Sequence, residues 1–258
     1  MKKFGLIFVL MIAVVGLFTG CDDKETEARL DEVTTALETM DVEKVYALCD
    51  DDTKANISQE TIAERMSAVY DVLAVESIDY TDLKRNKDAS SDGKTVYDAT
   101  VTLSGTGWSA ELPAQLVFSG SGANMQLAWT PEAVLSGLTD ENTLDVKITQ
   151  GKRGTIYARN GEVLAEDDEN GVRQYPYGTL TASCVGYVRA ATAAEIENGT
   201  VETVPIGTEV GRSGFEEAYQ DRLVATAGMT VTFSDKTDQI LIQTEPSDGQ
   251  DITTTIDI

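Results

Sequence analysis

Ser91-Asp92-Gly93-Lys94 is the one S-x-x-K in the chain, a serine and a lysine at a spacing used for covalent catalysis. In an S-x-x-K arrangement the lysine accepts the serine proton, so that the oxygen can attack a carbonyl carbon. Such a serine works from the start of a buried helix. Here the four residues form a Ser/Asp/Gly turn between two strand-like segments, so the match reads as coincidence. The chain contains no histidine. That removes Ser-His-Asp and Cys-His catalysis, together with most zinc sites. Of the cysteines, Cys49 and Cys184 lie far apart in apolar contexts, and the sequence predicts buried free thiols rather than a disulfide or a nucleophile. No catalytic residue, metal-ligand set or cofactor motif is assigned.

Charge narrows the partners. Twenty basic against 44 acidic residues give a net charge of −24 over 258 residues, a field that repels nucleic acid. The acids are spread along the chain, at Asp22-Asp23, Asp50-Asp51-Asp52 and Glu166-Asp167-Asp168-Glu169. They read as a solubilising surface.

Lys2 and Lys3 precede an apolar run from Phe4 to Phe18, and Leu17-Phe18-Thr19-Gly20-Cys21 closes it with small residues. This is an export signal. Its end resembles a bacterial lipobox, which would make residues 1–20 a signal peptide and Cys21 the acylated first residue. An uncleaved membrane anchor is the alternative, although the run is short beside the about 20 residues that span a bilayer. Asp22-Asp23, directly behind Cys21, favour the lipid. Either way the rest of the chain would lie on the extracytoplasmic face of the membrane.

The following residues read as helical to about Leu73. Leu30, Val33 and Leu37 recur at helical spacing; Asp41 caps a helix carrying Val45, Leu48 and Cys49; Ser58 caps another carrying Ile62, Met66, Val69, Tyr70 and Leu73. The period then changes to two, in Tyr97-Ala99-Val101-Leu103, Ala114-Leu116-Phe118 and Met125-Leu127-Trp129. Gly105-Thr106-Gly107 and Gly120-Ser121-Gly122 are the hairpin turns. The class is α+β, helices on one face of a curved antiparallel sheet, an order similar to the NTF2-like cone. Thr130-Pro131-Glu132 predicts a short helix to about Leu138. A boundary near Asp140 divides a first domain, 21–139, from a strand-rich second, 140–258, with helices expected at Ala193–Glu197 and Gly214–Leu223.

Four blocks of the second domain stand in a recognisable order. Arg153-Gly154-Thr155-Ile156-Tyr157-Ala158-Arg159-Asn160-Gly161-Glu162-Val163-Leu164-Ala165 describes a strand, an Asn-Gly turn suited to positive φ, and a second strand. In Gly211-Arg212-Ser213-Gly214-Phe215-Glu216, Ser213 can cap a helix with Glu216 at capping-box spacing and Tyr219 following. Tyr175-Pro176 with Val185-Gly186-Tyr187-Val188 lies between them, and Gly249–Asp257 ends the series. Together they resemble the dimerisation, or pedestal, domain of class B penicillin-binding proteins. Ala158 stands where that family has aspartate, Phe215 where it has leucine, and Val224-Ala225 where Arg-Gly is common; a histidine often found in the middle block is absent. The resemblance makes Arg153, Gly154, Asn160, Gly161, Gly211, Ser213, Gly214, Glu216 and Tyr219 structural motif positions. An NTF2-like domain before such a pedestal resembles a Gram-positive subgroup that includes the methicillin-resistance enzyme.

The resemblance implies a scaffold that positions a peptidoglycan D,D-transpeptidase domain above the membrane. The family's catalytic set is S-x-x-K, S-x-N and K-T-G. Neither Lys94-Thr95 nor Lys236-Thr237 is followed by glycine, so the chain alone is expected to be inactive, breaking off where the transpeptidase domain would begin. Implied partners are the membrane, peptidoglycan, wall-synthesis proteins and a second copy, with no cofactor and no nucleic acid. The alternative is a free-standing surface lipoprotein that binds wall polymer or a partner protein. An enzyme using the cone as its pocket would need a convergent acid, and none stands at the inward positions.

Overall fold

The structure, a computed structural model, describes residues 21–258 except 92, 193 and 196–208, with backbone only for 21–23. Helix α1 (Cys21–Glu38) buries Val33, Ala36 and Leu37. Helices α2 (Val42–Leu48), α3 (Asp51–Asn56) and α4 (Gln59–Tyr70) follow. The acids between them do specific work. Asp41 accepts the Lys44 amide at 3.0 Å and Asp50 the Thr53 amide at 2.8 Å, while Ser58 Oγ accepts the Thr61 amide at 3.1 Å. Each side chain satisfies a donor the first helical turn leaves open. Asp50 is therefore a cap where its acidic neighbours suggested only surface, and Cys49 lies just past the end of α2.

These helices pack on a sheet of order β1-β2-β3-β4, formed by β1 (Ser77–Asn86), β2 (Lys94–Gly105), β3 (Trp108–Ser119) and β4 (Gln126–Leu127). The predicted turn between β2 and β3 is present, with Gly107 at φ 79°. Strand β1 has no clear sequence signal, because only Ile78 and Tyr80 alternate inward before a bulge at Asp82, φ 54°. Beyond it the edge strand is polar and largely exposed. The interior is filled by side chains: Leu103, Leu116, Phe118, Met125 and Leu127 are fully buried. The buried Tyr80 hydroxyl donates to the Ala133 carbonyl at 2.7 Å.

The helix expected from Thr130 to Leu138 is instead a 3₁₀ turn, Pro131–Ala133. Thr130 supplies no cap bond. The reason is burial: Ala133, Val134, Leu135 and Leu138 all point inward, and no single helix face presents that set.

The second half of the chain feeds two cores. Strands β5 (Leu144–Thr149), β11 (Gly228–Phe233) and β12 (Lys236–Thr244) form an antiparallel sheet of order β12-β11-β5. Its Leu144, Val231, Phe233 and Ile242 join the core under the helices. Ile156, Ala158, Leu164, Ala165, Val185, Leu223 and Ile252 form a separate, smaller core. Around it run β6 (Ile156–Tyr157), β7 (Val163–Asp167), β8 (Arg173–Gln174), α5 (Ala182–Val185), β9 (Val188–Ala190), β10 (Glu209–Gly211), α6 (Gly214–Ala218), α7 (Gln220–Leu223) and β13 (Ile252–Thr253). Strand β13 lies parallel to β6 at the edge of the order β13-β6-β7-β8. The expected helix over Gly214–Leu223 is two short pieces broken at Tyr219, φ −117° and ψ 24°. Most of Ala193–Glu197 lies outside the described residues. Among the described residues, no helix is long and apolar enough to cross a membrane.

The thiols divide. Cys49 is buried, its Sγ donates to the Val45 carbonyl at 3.3 Å, and burial pushes its pKa up to about 12. Cys184 is exposed, contrary to expectation. The single turn of α5 directs Val185 inward and leaves Ala182, Ser183 and Cys184 outside.

Glu38 offers a pH test. Burial raises its pKa, although the Tyr80 amide donates to Oε1 at 2.8 Å. A raised folded-state pKa gives stability that is complete below the unfolded value and lost as pH rises through the folded one. Glu38→Gln keeps the acceptor and removes the charge. It is expected to raise the Tm at pH 7 and not at pH 4, and a lower Tm at pH 7 would overturn this.

Candidate functional site

The polar residues of the second core converge on Glu216, whose side chain is 0% exposed. It sits in the first turn of α6, between the segment entering β6 and the β7–β8 hairpin. One carboxylate oxygen accepts Arg153 Nε at 2.8 Å and the other accepts Arg173 Nε at 2.8 Å. Arg153 also donates to the Glu216 carbonyl at 3.0 Å and to Gln220 Oε1 at 2.8 Å. Arg173 donates to Asp167 Oδ1 at 3.0 Å and to the Gly154 carbonyl at 2.9 Å. Asp167 Oδ2 in turn accepts the Arg153 amide at 2.8 Å. The Tyr175 hydroxyl donates to Glu216 at 3.3 Å and accepts the Val188 amide at 3.1 Å.

The electrostatics follow from this enclosure. Burial opposes the charge on Arg173, but the Glu216 and Asp167 carboxylates raise its pKa above the ordinary value. Burial, followed by the Glu216 charge, pushes Tyr175 up to about 12. Buried charges persist only when paired and hydrogen-bonded. Here the groups satisfy one another, with no nucleophile among them. The arrangement binds chain to chain.

Two motif glycines allow the approach. A Cβ on Gly211 would lie 1.9 Å from the Glu216 carbonyl oxygen, and one on Gly154 would lie 2.2 Å from that of Gln250. Only glycine fits where backbones come this close. Through Gly154 the cluster reaches the last strand: the Gly154 amide donates to the Leu223 carbonyl at 2.9 Å, Gln250 N to Arg222 O at 2.6 Å, and Ile252 N to Thr155 O at 2.9 Å.

The sequence-predicted positions therefore separate. Arg153, Gly154, Gly211 and Glu216 come together. Ser213 occupies the cap position but makes no side-chain cap bond, and the Glu216 carboxylate belongs to the arginines, so the capping-box reading is corrected. Gly214 opens α6 at φ 59°. Asn160 and Gly161 make the β6–β7 turn, where Gly161 alone takes positive φ, 86°, and Asn160 Oδ1 accepts the Glu162 amide at 3.2 Å. Tyr219 is 40% exposed and stands apart from the cluster. Cys21 opens α1. Sequence reasoning missed Arg173, Asp167 and Gln220. The Asn170-Gly171 turn was the available signal, since a hairpin there returns Arg173 beside Asp167. Ser91 is an exposed turn residue whose carbonyl accepts the Lys94 amide at 2.9 Å. Among the described residues, no three histidine, cysteine or acidic side chains are grouped to hold a metal ion.

Family comparisons fit this geometry. Residues 25–142 match the NTF2-like N-terminal transpeptidase domain, and residues 168–254 match the penicillin-binding protein dimerisation domain. The chain carries the NTF2-like and dimerisation domains of the N-terminal part of a class B penicillin-binding protein. Penicillin-binding protein 3 of Bacillus subtilis is 24% identical over 100% of this chain and 50% of its own length. The chain thus spans about half the length of this curated relative. Among solved structures, a putative peptidoglycan glycosyltransferase from Atopobium parvulum is 33% identical, covering 44% of this chain and 22% of that one, with TM-score 0.31. PBP2 of Pseudomonas aeruginosa is 28% identical over 42% of this chain and 22% of its own, with TM-score 0.32. The matched dimerisation domain includes Arg173, Glu216 and Gln220 but begins downstream of Arg153. The hydrogen bonds supply what the match leaves out.

Proposed function

We propose that this chain is the scaffold of a peptidoglycan D,D-transpeptidase, holding a catalytic domain above the membrane in cell-wall synthesis. The observation that carries the reading is the closed cluster around Glu216, which commits the convergent polar groups of the second core to fixing the strand that ends the chain. A site that traps its own charges offers nothing to a substrate. The family's activity, penicillin binding and peptide cross-linking, would belong to a domain carrying S-x-x-K, S-x-N and K-T-G. Residues 21–139 would serve as the spacer and 140–258 as the pedestal, with Cys21 as the lipid attachment and the chain on the extracytoplasmic face. Wall polymer, wall-synthesis proteins and a second copy are the proposed contacts.

One experiment tests both ends of the proposal. Cells expressing the 258-residue chain receive fluorescent penicillin and labelled palmitate. The expected result is no penicillin label, and palmitate label that disappears in Cys21→Ser. Covalent penicillin label lost in Ser91→Ala would overturn the scaffold reading. Palmitate retained by Cys21→Ser would overturn the lipid attachment.

A further inference from the structure

Among the described residues the chain passes between its two cores three times: through 150–155 between β5 and β6, 224–227 between α7 and β11, and 245–251 between β12 and β13. These passes are bonded to one another in every combination. The Thr226 and Ser247 amides donate to each other's carbonyls at 2.9 and 3.0 Å, joining the second pass to the third. The Gly249 amide donates to the Lys152 carbonyl and the Lys152 amide to Asp248 Oδ1, each at 2.8 Å, joining the third to the first. The Gly154 amide, bonded to the Leu223 carbonyl, joins the first to the end of α7, where the second begins. Glycines set the spacing. A Cβ on Gly151 would overlap the Ser247 carbonyl oxygen and one on Gly249 that of Leu223, while one on Gly228 would lie 2.5 Å from Pro246 Cδ. None of these three takes positive φ, so what each provides is room for a neighbouring backbone.

We propose that the three passes form a rigid neck, through which the core under the helices and the core beside Glu216 turn as one body. Domains joined by a modest interface ordinarily move against each other. A hinge permits this by letting a few residues change φ and ψ. Here a bend that parts one pass from another breaks main-chain hydrogen bonds. A bend that presses them together drives backbone into backbone at the glycines. Three passes bonded in a ring hold both tilt and twist, which a single linker leaves free. The mechanical division of the chain therefore runs through the neck and not near Asp140, with β5, β11 and β12 moving with the helices. A rotation imposed on α1–α4 reaches β13 undiminished, whatever domain that strand leads to.

Spin labels on the full chain, with Cys21→Ser, test the neck. Exposed Cys184 carries one label and Ala55→Cys, on the surface of α3, the other, while Cys49 is buried. The control pair is Ala55→Cys with Glu111→Cys on β3 in a Cys184→Ser background, both labels then belonging to the first core. Double electron–electron resonance is expected to give a single distance between the cores, with a distribution as narrow as the control's. Gly151→Ala must part the first and third passes, and it should broaden that distribution about twofold while leaving the control unchanged. Hydrogen exchange gives a second readout without a neck variant: the Thr226, Ser247 and Gly249 amides should exchange within about tenfold of the β11 amides. A split distribution or one wider than the control's, or neck amides exchanging faster than that limit, would overturn the proposal. So would a Gly151→Ala distribution unchanged in width. Should Gly151→Ala fail to fold, the two measurements on the unaltered neck still decide.

Discussion

Glu216→Gln is expected to destabilise the second core by about 3–5 kcal/mol, because it leaves the buried Arg153 guanidinium beside a neutral amide with no carboxylate and Arg173 with Asp167 alone. The side chains of Arg153, Arg173 and Glu216 are 6%, 2% and 0% exposed, so water cannot take over the lost charge. The exposed pair Arg29–Glu32, at 26% and 40%, sets the contrast: Glu32→Gln should cost less than about 1 kcal/mol. Urea denaturation of both variants makes the comparison, and a loss under about 1 kcal/mol for Glu216→Gln would remove the cluster's structural role. Replacing Arg153, Arg173 and Glu216 together by methionine or leucine should not restore stability. Buried ion pairs elsewhere tolerate such exchange. Here the arginines also serve the Gly154 and Glu216 carbonyls, Asp167 and Gln220, and these acceptors would be left unmet.

The second large effect crosses the apparent domain boundary. Phe233 comes from the sequence of the second domain, yet it is fully buried in the core under the helices. A Cβ on Gly137 would lie 2.9 Å from its ring. Phe233→Ala is expected to cost about 3–5 kcal/mol through lost burial and the cavity it leaves. The transition affected should be that of the first core, read from the near-ultraviolet signal of the buried Trp129. A chain cut after residue 142 loses Leu144, Val231, Phe233 and Ile242 together, and it should show no cooperative unfolding. If residues 21–142 unfold cooperatively at the wild-type midpoint, the shared core is not required.

These two cases mark what could be read in advance. Asp41 and Ser58 announce helix starts because a cap is a local event, settled within three residues by one side chain and one amide. Strands β2 and β3 announce themselves by period two because one face is buried along most of their length. Arg153-Gly154 and Gly211 carry the family pattern because their roles, close backbone approach and a fixed ion pair, admit few residue types. Strand β1 escaped because an edge strand past a bulge owes its pairing to β2 rather than to its own pattern.

The sequence by itself determined the α+β class, the absence of histidine chemistry, the motif order and the cap positions. Each follows from residue types or from interactions a few residues apart. Only the tertiary structure decided that Glu216 serves Arg153 and Arg173 instead of its own helix start. The same holds for Cys184 facing outward, and for Leu144 and Phe233 belonging to the core of the preceding helices. Those outcomes join residues 43 and 63 positions apart in the cluster, or set which side of a single turn is buried. A carboxylate at capping distance from an amide goes to a buried cation instead once the fold brings one within reach, because the unpaired buried charge is the costlier group to leave unmet.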